Sequence, residues 1–260
     1  MKFLSSRDNT LIKKFAKLKN KKYRDKENLF IIEGEKSVTE ALQQGDSLLC
    51  VLFAEECRQY LDLVNKVPDI QWYQLAPGLI DYICDTENTQ GILAIAQIPG
   101  FNYDSITDEQ LLVCLDEVSD PGNVGTIIRT GLALGADGIL MTPGCADPFS
   151  PKVVRASMGA ILHIPVYRNF CLDELSNFQN QGYLVYCSSL DTENNLYDQD
   201  FTGGKIIVIG NESRGISEKS KSTCDTKFKI PINPQVDSLN AAVACAIILA
   251  EAWQQRLLNC

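Results

Sequence analysis

Three short segments set polar side chains beside glycine or small residues at strand-to-helix junctions, where open α/β sheets place their ligands. The first runs from Leu115 through Asp116 to Asp120-Pro121-Gly122-Asn123, then enters an apolar helix carrying Arg129. Such a turn offers backbone N–H groups to an anion, and Asn123 can cap the helix. Arg129 is flanked by Ile127, Ile128 and Leu132. Burying a lone guanidinium is very costly, so Arg129 either salt-bridges Asp116 or Asp120 or faces a cleft. In the second segment the apolar run Ile206 to Ile209 meets a glycine-bounded turn, Gly210-Asn211-Glu212-Ser213-Arg214-Gly215. Glu212 either binds a hydroxyl or caps the following turn. The third segment joins Ile230-Pro231-Ile232 to Ser238-Leu239-Asn240 and a run of small residues from Ala241. Ser238 or Asp237 is expected to cap that helix. Its small side chains suit packing or a flat ligand, and Asn240, polar in the first turn, points to a site.

The elements that must position these residues alternate along the whole chain. Near-helical spacing of Leu11, Ile12, Phe15 and Leu18 after Asp8 or Asn9 predicts that the basic amino-terminal segment is a helix with one apolar stripe. Strands are expected over residues 29–32, 48–53, 71–75 and 92–98, with helices over 35–44, 55–66 and 76–84. After Pro99-Gly100 a second alternation begins. It has strands at 111–115, 138–141, 164–166, 183–187, 205–209 and 227–230, and helices at 123–134, 151–158, 172–180 and from about 238. Near-continuous apolar strands separated by helices argue for a parallel sheet covered on both faces. The expected organisation is a small α/β domain over 1–98, a linker over 99–108 and a larger parallel-sheet α/β domain over 109–260.

Composition narrows the functions. Hydrophobic residues make up 45% of 260 and charged residues 22%, ordinary globular usage. The longest unbroken apolar run, Ala241 to Ala250, is half of the roughly 20 residues a spanning helix needs, so no membrane partner is expected. The first residues lack an apolar signal core, which makes the cytoplasm the expected location. Ten cysteines without a CxxC pair and a single histidine, His163, give no basis for a metal site. His163 sits in an apolar run and reads as structural, which counts against a serine-histidine-aspartate hydrolase. Charge is uneven. Residues 1–26 hold ten Lys or Arg against two Asp, a surplus of +8, while the remainder holds 14 basic against 31 acidic residues. An acidic body with one basic segment suits a local grip on a polyanion, although a solvated basic helix has the same composition.

Taken together and in order, the three segments resemble the SpoU (TrmH-type) RNA ribose 2′-O-methyltransferases of the SPOUT superfamily. The matching motifs are Asp120 to Asn123 with Arg129, Gly210-Asn211-Glu212 with Gly215, and Ile230 to Ile232 with Ser238-Leu239-Asn240. Asp147 to Gly159, including Arg155, is similar to the family's intermediate helix. The amino-terminal pattern Asn9, Lys13, Leu18, Lys22, Arg24, Phe30 and Glu33-Gly34 resembles its small substrate-binding domain. Pro234 stands where many relatives have glycine, and Ala242 where serine is common.

The resemblance implies a Rossmann-like SPOUT domain with a carboxyl-terminal trefoil knot and a homodimer built through it. It also implies S-adenosylmethionine held by Gly210, Ile230, Ile232 and Leu239, and transfer of its methyl to a ribose 2′-hydroxyl of rRNA or tRNA. Arg129, Asn123, Glu212, Ser238 and Asn240 then form the catalytic set. Arg7, Asn9, Lys13, Lys14, Lys21, Lys22, Arg24 and Arg155 are the expected RNA contacts. A free guanidinium is almost never deprotonated near neutral pH, so Arg129 is a poor general base. It either orients a phosphate that helps remove the proton or stabilises the developing alkoxide. The competing reading is an RNA-binding protein that keeps the fold without transfer, against which the retained polar set speaks. A nucleotide-dependent oxidoreductase would require an early GxGxxG fingerprint, and none is present.

Overall fold

The computed structural model describes residues 1–258 except 46, 85, 87–88, 102–105 and 108. Its described residues fall into two compact units. One comprises Met1–Gly100 with Asp147–Leu162, the other Phe101–Ala146 with His163–Cys260.

The first unit begins with β1 (Lys2–Leu4), α1 (Thr10–Lys17) and α2 (Lys21–Glu27). The basic segment is therefore two short helices rather than one. Asn9 accepts from Leu11 N at 2.9 Å to cap α1, and Asn20 accepts from Lys22 N at 2.9 Å to start α2. The predicted stripe holds: Ile12, Phe15 and Leu18 are buried, with Leu11 packed beside them. Next come β2 (Leu29–Glu33), α3 (Glu35–Gln44), β3 (Leu48–Ala54), α4 (Leu61–Lys66), β4 (Gln71–Leu75), α5 (Leu79–Ile83) and β5 (Ile92–Gln97). The sheet order is β1-β4-β3-β5-β2, with β1, β4 and β3 parallel and β5 antiparallel to its neighbours β3 and β2. The α1 stripe packs in one cluster with Leu52, Leu75, Ile83, Leu93 and Ile95.

The second unit starts with β6 (Leu111–Asp116), α6 (Pro121–Ala133) and β7 (Gly138–Met141). The chain then contributes α7 (Pro151–Ser157) to the first unit, where Phe149 packs on Phe30 with ring centroids 5.0 Å apart. It returns through β8 (Val166–Arg168), α8 (Leu175–Asn180), β9 (Leu184–Ser188), β10 (Lys205–Gly210), α9 (Glu218–Thr223), β11 (Thr226–Phe228) and α10 (Ala241–Leu258). All six strands are parallel, in the order β11-β9-β10-β6-β7-β8. Strand β6 is buried at every residue, as a sheet covered on both faces requires. One face packs Leu112, Cys114, Ile206 and Val208 against Phe170, Phe178 and Tyr183. Helices α6 and α10 pack on each other, α6 also touching β7 and α10 touching β10. By length and composition α10 could cross a membrane, but Cys245, Ile248, Leu249 and Ala252 are buried in this unit.

The departures from the predicted elements have local causes. Strand β8 starts at Val166 because Pro165 has no N–H for the ladder, although its carbonyl accepts from Ile139 N at 2.9 Å. Helix α9 has no apolar period to betray it, and β1 is only three residues long. Helix α10 starts at Ala241, not near 238, and Asn240 is its cap, accepting from Ala242 N at 2.9 Å and Val243 N at 3.2 Å. The expectation that Ser238 or Asp237 caps this helix is thereby corrected.

Candidate active site

The chain moves from β6 to β7 and β8 on one side, then crosses to β9, β10 and β11 on the other. The switch point lies between β6 and β10, whose last residues Asp116 and Gly210 are paired in register. Loops leaving these two strands diverge and open a crevice at their carboxyl ends. Residues after Asp116, Gly210 and β11 all meet there.

Asp120 accepts from Asn123 N at 2.8 Å and is the cap of α6, with Pro121 in the first turn. Asn123 is thus not the cap, which frees its side chain. Asn240 Nδ2 donates to Asn123 Oδ1 at 2.9 Å, and Asn123 Nδ2 donates to Glu212 Oε1 at 2.9 Å. Backbone N–H groups of Ser119 and Asp120 also reach the Glu212 carboxylate, at 3.4 and 3.3 Å. Residues 117 positions apart in sequence therefore form one hydrogen-bonded row. Partial burial alone would push the Glu212 carboxyl up. Hydrogen bonds from Asn123 and the backbone of Glu212, Asp120 and Ser119 outweigh it and hold the group below the usual carboxylate range. Glu212 is ionised at neutral pH, and the stability this gives is lost as pH falls through the depressed value.

Arg129 is exposed and makes no hydrogen bond or ion pair with any described residue. Both carboxylates offered by the sequence are engaged elsewhere. Asp120 caps α6, and Asp116, 2% exposed, accepts from Ser217 N at 2.7 Å and Ser220 Oγ at 2.8 Å. The salt-bridge alternative for Arg129 is absent. Arg129 follows Asn123 by six residues, about 9 Å along the axis, and helical side chains lean back towards the amino terminus.

Beside this row lies a cavity of about 460 Å³, within the range of small-molecule sites. Gly210, Ile230, Ile232 and Leu239 line it together with Glu212 and Ser238. The structure thus gathers the whole expected cofactor set, while Arg129 stands outside the lining. Gly210 tolerates no side chain, since a Cβ would lie 2.2 Å from Gly215 C and Ile216 N. Asn211 and Gly215 exchange backbone hydrogen bonds at 2.9 Å to close the turn. The apolar lining suits an adenine ring, and its charged members, Asp191, Glu212 and Asp237 against Arg214 and Lys221, leave a small acidic excess that suits a cationic sulfonium. Among the described residues no group of three or more His, Cys, Asp or Glu is arranged to hold a metal ion.

The roles of two positions escaped the sequence reading, which offered Asp116 only as a partner for Arg129 and Asn211 only as part of its motif. Asp116 anchors the loop that precedes α9, and Asn211 donates to Glu117 O at 2.8 Å while accepting from Ser213 N and Arg214 N. Their only sequence signal is a polar residue directly after an apolar strand.

The expected RNA contacts separate into two groups. Arg7 lies over the Tyr82 ring at 5.2 Å, and Lys13, Lys14 and Lys21 pair with Asp8, Glu27 and Asp25 at 2.6–2.8 Å. Such solvated pairs are worth little, so these cations remain exchangeable for phosphate, as does exposed Lys22. Asn9 spends its side-chain oxygen on the α1 cap. Arg155 pairs with Glu33 at 3.0 Å. Arg24 corrects the sequence reading outright. It is 3% exposed, and its guanidinium is consumed by Asp147 and the carbonyls of Leu18 and Lys19.

Comparison with known proteins gives a consistent picture. Residues 110–250 match the SpoU rRNA Methylase family, and residues 9–94 match the MRM3-like substrate binding domain. The chain is 32% identical to the Bacillus subtilis 23S rRNA (guanosine(2553)-2'-O)-methyltransferase RlmP, over 96% of this chain and 98% of that protein. It is 28% identical to the Streptomyces viridochromogenes 23S rRNA (uridine(2479)-2'-O)-methyltransferase, covering 93% and 88%. An AdoMet-bound rRNA methyltransferase from Sinorhizobium meliloti superposes with a TM-score of 0.87 at 29% identity, covering 97% of each chain. The SpoU methyltransferase AviRb from Streptomyces viridochromogenes, in complex with the cofactor AdoMet, gives 0.87 at 26% identity over 96% and 98%.

Proposed function

The chain belongs to the SpoU rRNA methylase family and is an S-adenosylmethionine-dependent RNA 2′-O-methyltransferase, and from this premise we propose how its residues divide the work. The observation that carries the assignment is the row Asn240-Asn123-Glu212, set beside the cavity, whose middle member Asn123 lies on α6 together with Arg129, unpaired among the described residues. Bound in that cavity, S-adenosylmethionine supplies an electrophilic methyl group on a sulfonium. Gly210, Ile230, Ile232 and Leu239 hold the cofactor by close backbone approach and apolar contact. Ser238, exposed because Asn240 takes over the capping, offers a hydroxyl at the cavity edge. Arg129 receives the RNA and stands beside the ribose hydroxyl as its proton leaves. Asn123 and Asn240 fix Glu212, and through it the walls of the loop after β10.

Asn123 is the middle of that row. Asn123→Ala is expected to lower the transfer rate about a hundredfold, since misplacement by an ångström costs that much. The dissociation constant for S-adenosylmethionine should stay within a few-fold. Unchanged transfer by the variant contradicts the assignment.

The substrate on this reading is rRNA, gripped through the basic segment, and the protein works in the cytoplasm where that RNA is found. Replacing Lys13, Lys14, Lys21 and Lys22 by Gln is expected to weaken RNA binding. The slope of log affinity against log salt should flatten by about 0.7–0.9 for each phosphate that is no longer neutralised. An unchanged slope removes the basic segment from the interface.

The same reading includes the trefoil knot and a homodimer. Supporting the dimer, Val243, Trp253 and Leu257 on α10 and Leu132 on α6 are exposed by 38–57%. Trp253 lies against Gly135, where a Cβ would come within 2.1 Å of its ring. Such an apolar face next to the cofactor loops fits a second copy of the chain. Sedimentation at micromolar concentration is expected to give a dimer, and a fully active monomer contradicts it.

A further inference from the structure

Resting on the RNA substrate proposed above, we infer that the first unit contains a base-recognition pocket, in which Glu33 and Arg155 take one unpaired guanine of the bound RNA. A cavity of about 300 Å³ opens in this unit among the end of β2, the start of β5 and the end of α7. It is separate from the cofactor cavity in every lining residue.

The Glu33 side chain is only 7% exposed, so its carboxylate is fixed rather than solvated. One oxygen, Oε2, accepts from Arg155 Nη1 at 3.0 Å and from Thr86 Oγ1 at 3.2 Å. The other, Oε1, is buried and has no hydrogen-bond partner among the described residues. Folded proteins seldom leave a buried carboxylate oxygen without a donor. Glu33 lines the cavity, so an N–H or O–H entering beside it can supply the donor that Oε1 lacks. Arg155 carries five N–H donors and spends one of them on Glu33. It makes no other hydrogen bond to a described residue, and its side chain is 30% exposed.

An acceptor and a set of donors held side by side read an edge that offers N–H next to a carbonyl. Guanine presents N1–H and the exocyclic amino group for Glu33, with O6 adjacent for Arg155. Adenine has no carbonyl to offer. Cys84, Ile92 and Met158 give the lining apolar surface for the ring face, beside polar Lys36, Ser37, Thr89 and Gln90. Splayed-out bases of single-stranded RNA are read in this way, on their Watson–Crick edge.

The test uses the full-length protein and ten-nucleotide oligoadenylates carrying adenosine, guanosine or 1-methylguanosine at one central position. Fluorescence anisotropy is expected to show guanosine bound about tenfold tighter than adenosine. The preference should vanish with 1-methylguanosine, which lacks the N1 proton, and in Glu33→Ala. Because the modified base probes the unaltered protein, the test survives a variant that fails to fold. Equal affinity for adenosine and guanosine oligonucleotides, or for guanosine and 1-methylguanosine, overturns the pocket and leaves RNA binding intact. Failure to bind any of the three overturns the wider reading together with this inference.

Discussion

Arg129→Ala is expected to lower methyl transfer by at least about a hundredfold while S-adenosylmethionine binds as before. The magnitude is that of removing one preorganised group that stabilises charge in a transition state. The separation of effects follows from position, since Arg129 is exposed on α6 and does not line the cofactor cavity. Its freedom is informative because the sequence offered two carboxylates to neutralise it. Asp120 and Asp116 bond instead to the α6 amino terminus and to Ser217 and Ser220. A guanidinium left unpaired beside a crevice is poised for a ligand. Arg129→Lys distinguishes two modes of action. A point charge preserves part of the rate if electrostatic stabilisation suffices, whereas loss with Lys means that the planar fork must hold phosphate and ribose together. We expect loss with Lys. Single-turnover rates at saturating RNA, with calorimetric titration of S-adenosylmethionine, measure both quantities. Near-normal turnover by Arg129→Ala would remove it from the reaction.

The second large effect concerns stability. Arg24→Ala leaves Asp147, 8% exposed at its side chain, without the two N–H donors at 2.5 and 3.0 Å that now meet it. It also strips the carbonyls of Leu18 and Lys19 of donors at 2.7 Å. Breaking a buried pair from one side costs about 3–5 kcal/mol. In a chain of this size that corresponds to a melting temperature lower by roughly 10 °C. Replacing both partners, Arg24→Met with Asp147→Leu, should recover much of the loss because no buried charge remains. The double variant should also keep the salt dependence of RNA binding, unlike the lysine variants. A single variant that melts with the unaltered protein, or a double variant with a flattened salt slope, contradicts this role for Arg24.

These two arginines show where sequence was informative and where it was not. Both sit in motifs of matching type, yet one is exposed and unpaired while the other is buried and spent. Charge and spacing do not encode that difference; it depends on Asp147, 123 positions away. Strands β4 and β7 and helix α3 were legible to the residue, because continuous apolar runs and clear breaks mark them. The capping pattern was not. Asp120 rather than Asn123, and Asn240 rather than Ser238, take the helix ends. Several adjacent side chains have capping chemistry, and only the loop geometry selects among them. The linkage of Asn240 to Asn123 was likewise invisible, since it depends on α10 packing against α6. Segment 147–162 has α/β patterning like its surroundings, and nothing in its periodicity indicates that it packs with the amino-terminal unit. The proposed linker over 99–108 falls partly outside the described residues.

This chain moves a methyl group from S-adenosylmethionine to a ribose oxygen of RNA. The direct measurement incubates the protein with methyl-labelled S-adenosylmethionine and ribosomal RNA, digests the product to nucleosides and resolves them by mass spectrometry. Label is expected in a 2′-O-methylnucleoside, with the mass increment on the sugar and the base unmodified, and no label with Arg129→Ala. Label carried on a base, or RNA that stays unlabelled while the protein binds both cofactor and RNA, would contradict this transfer.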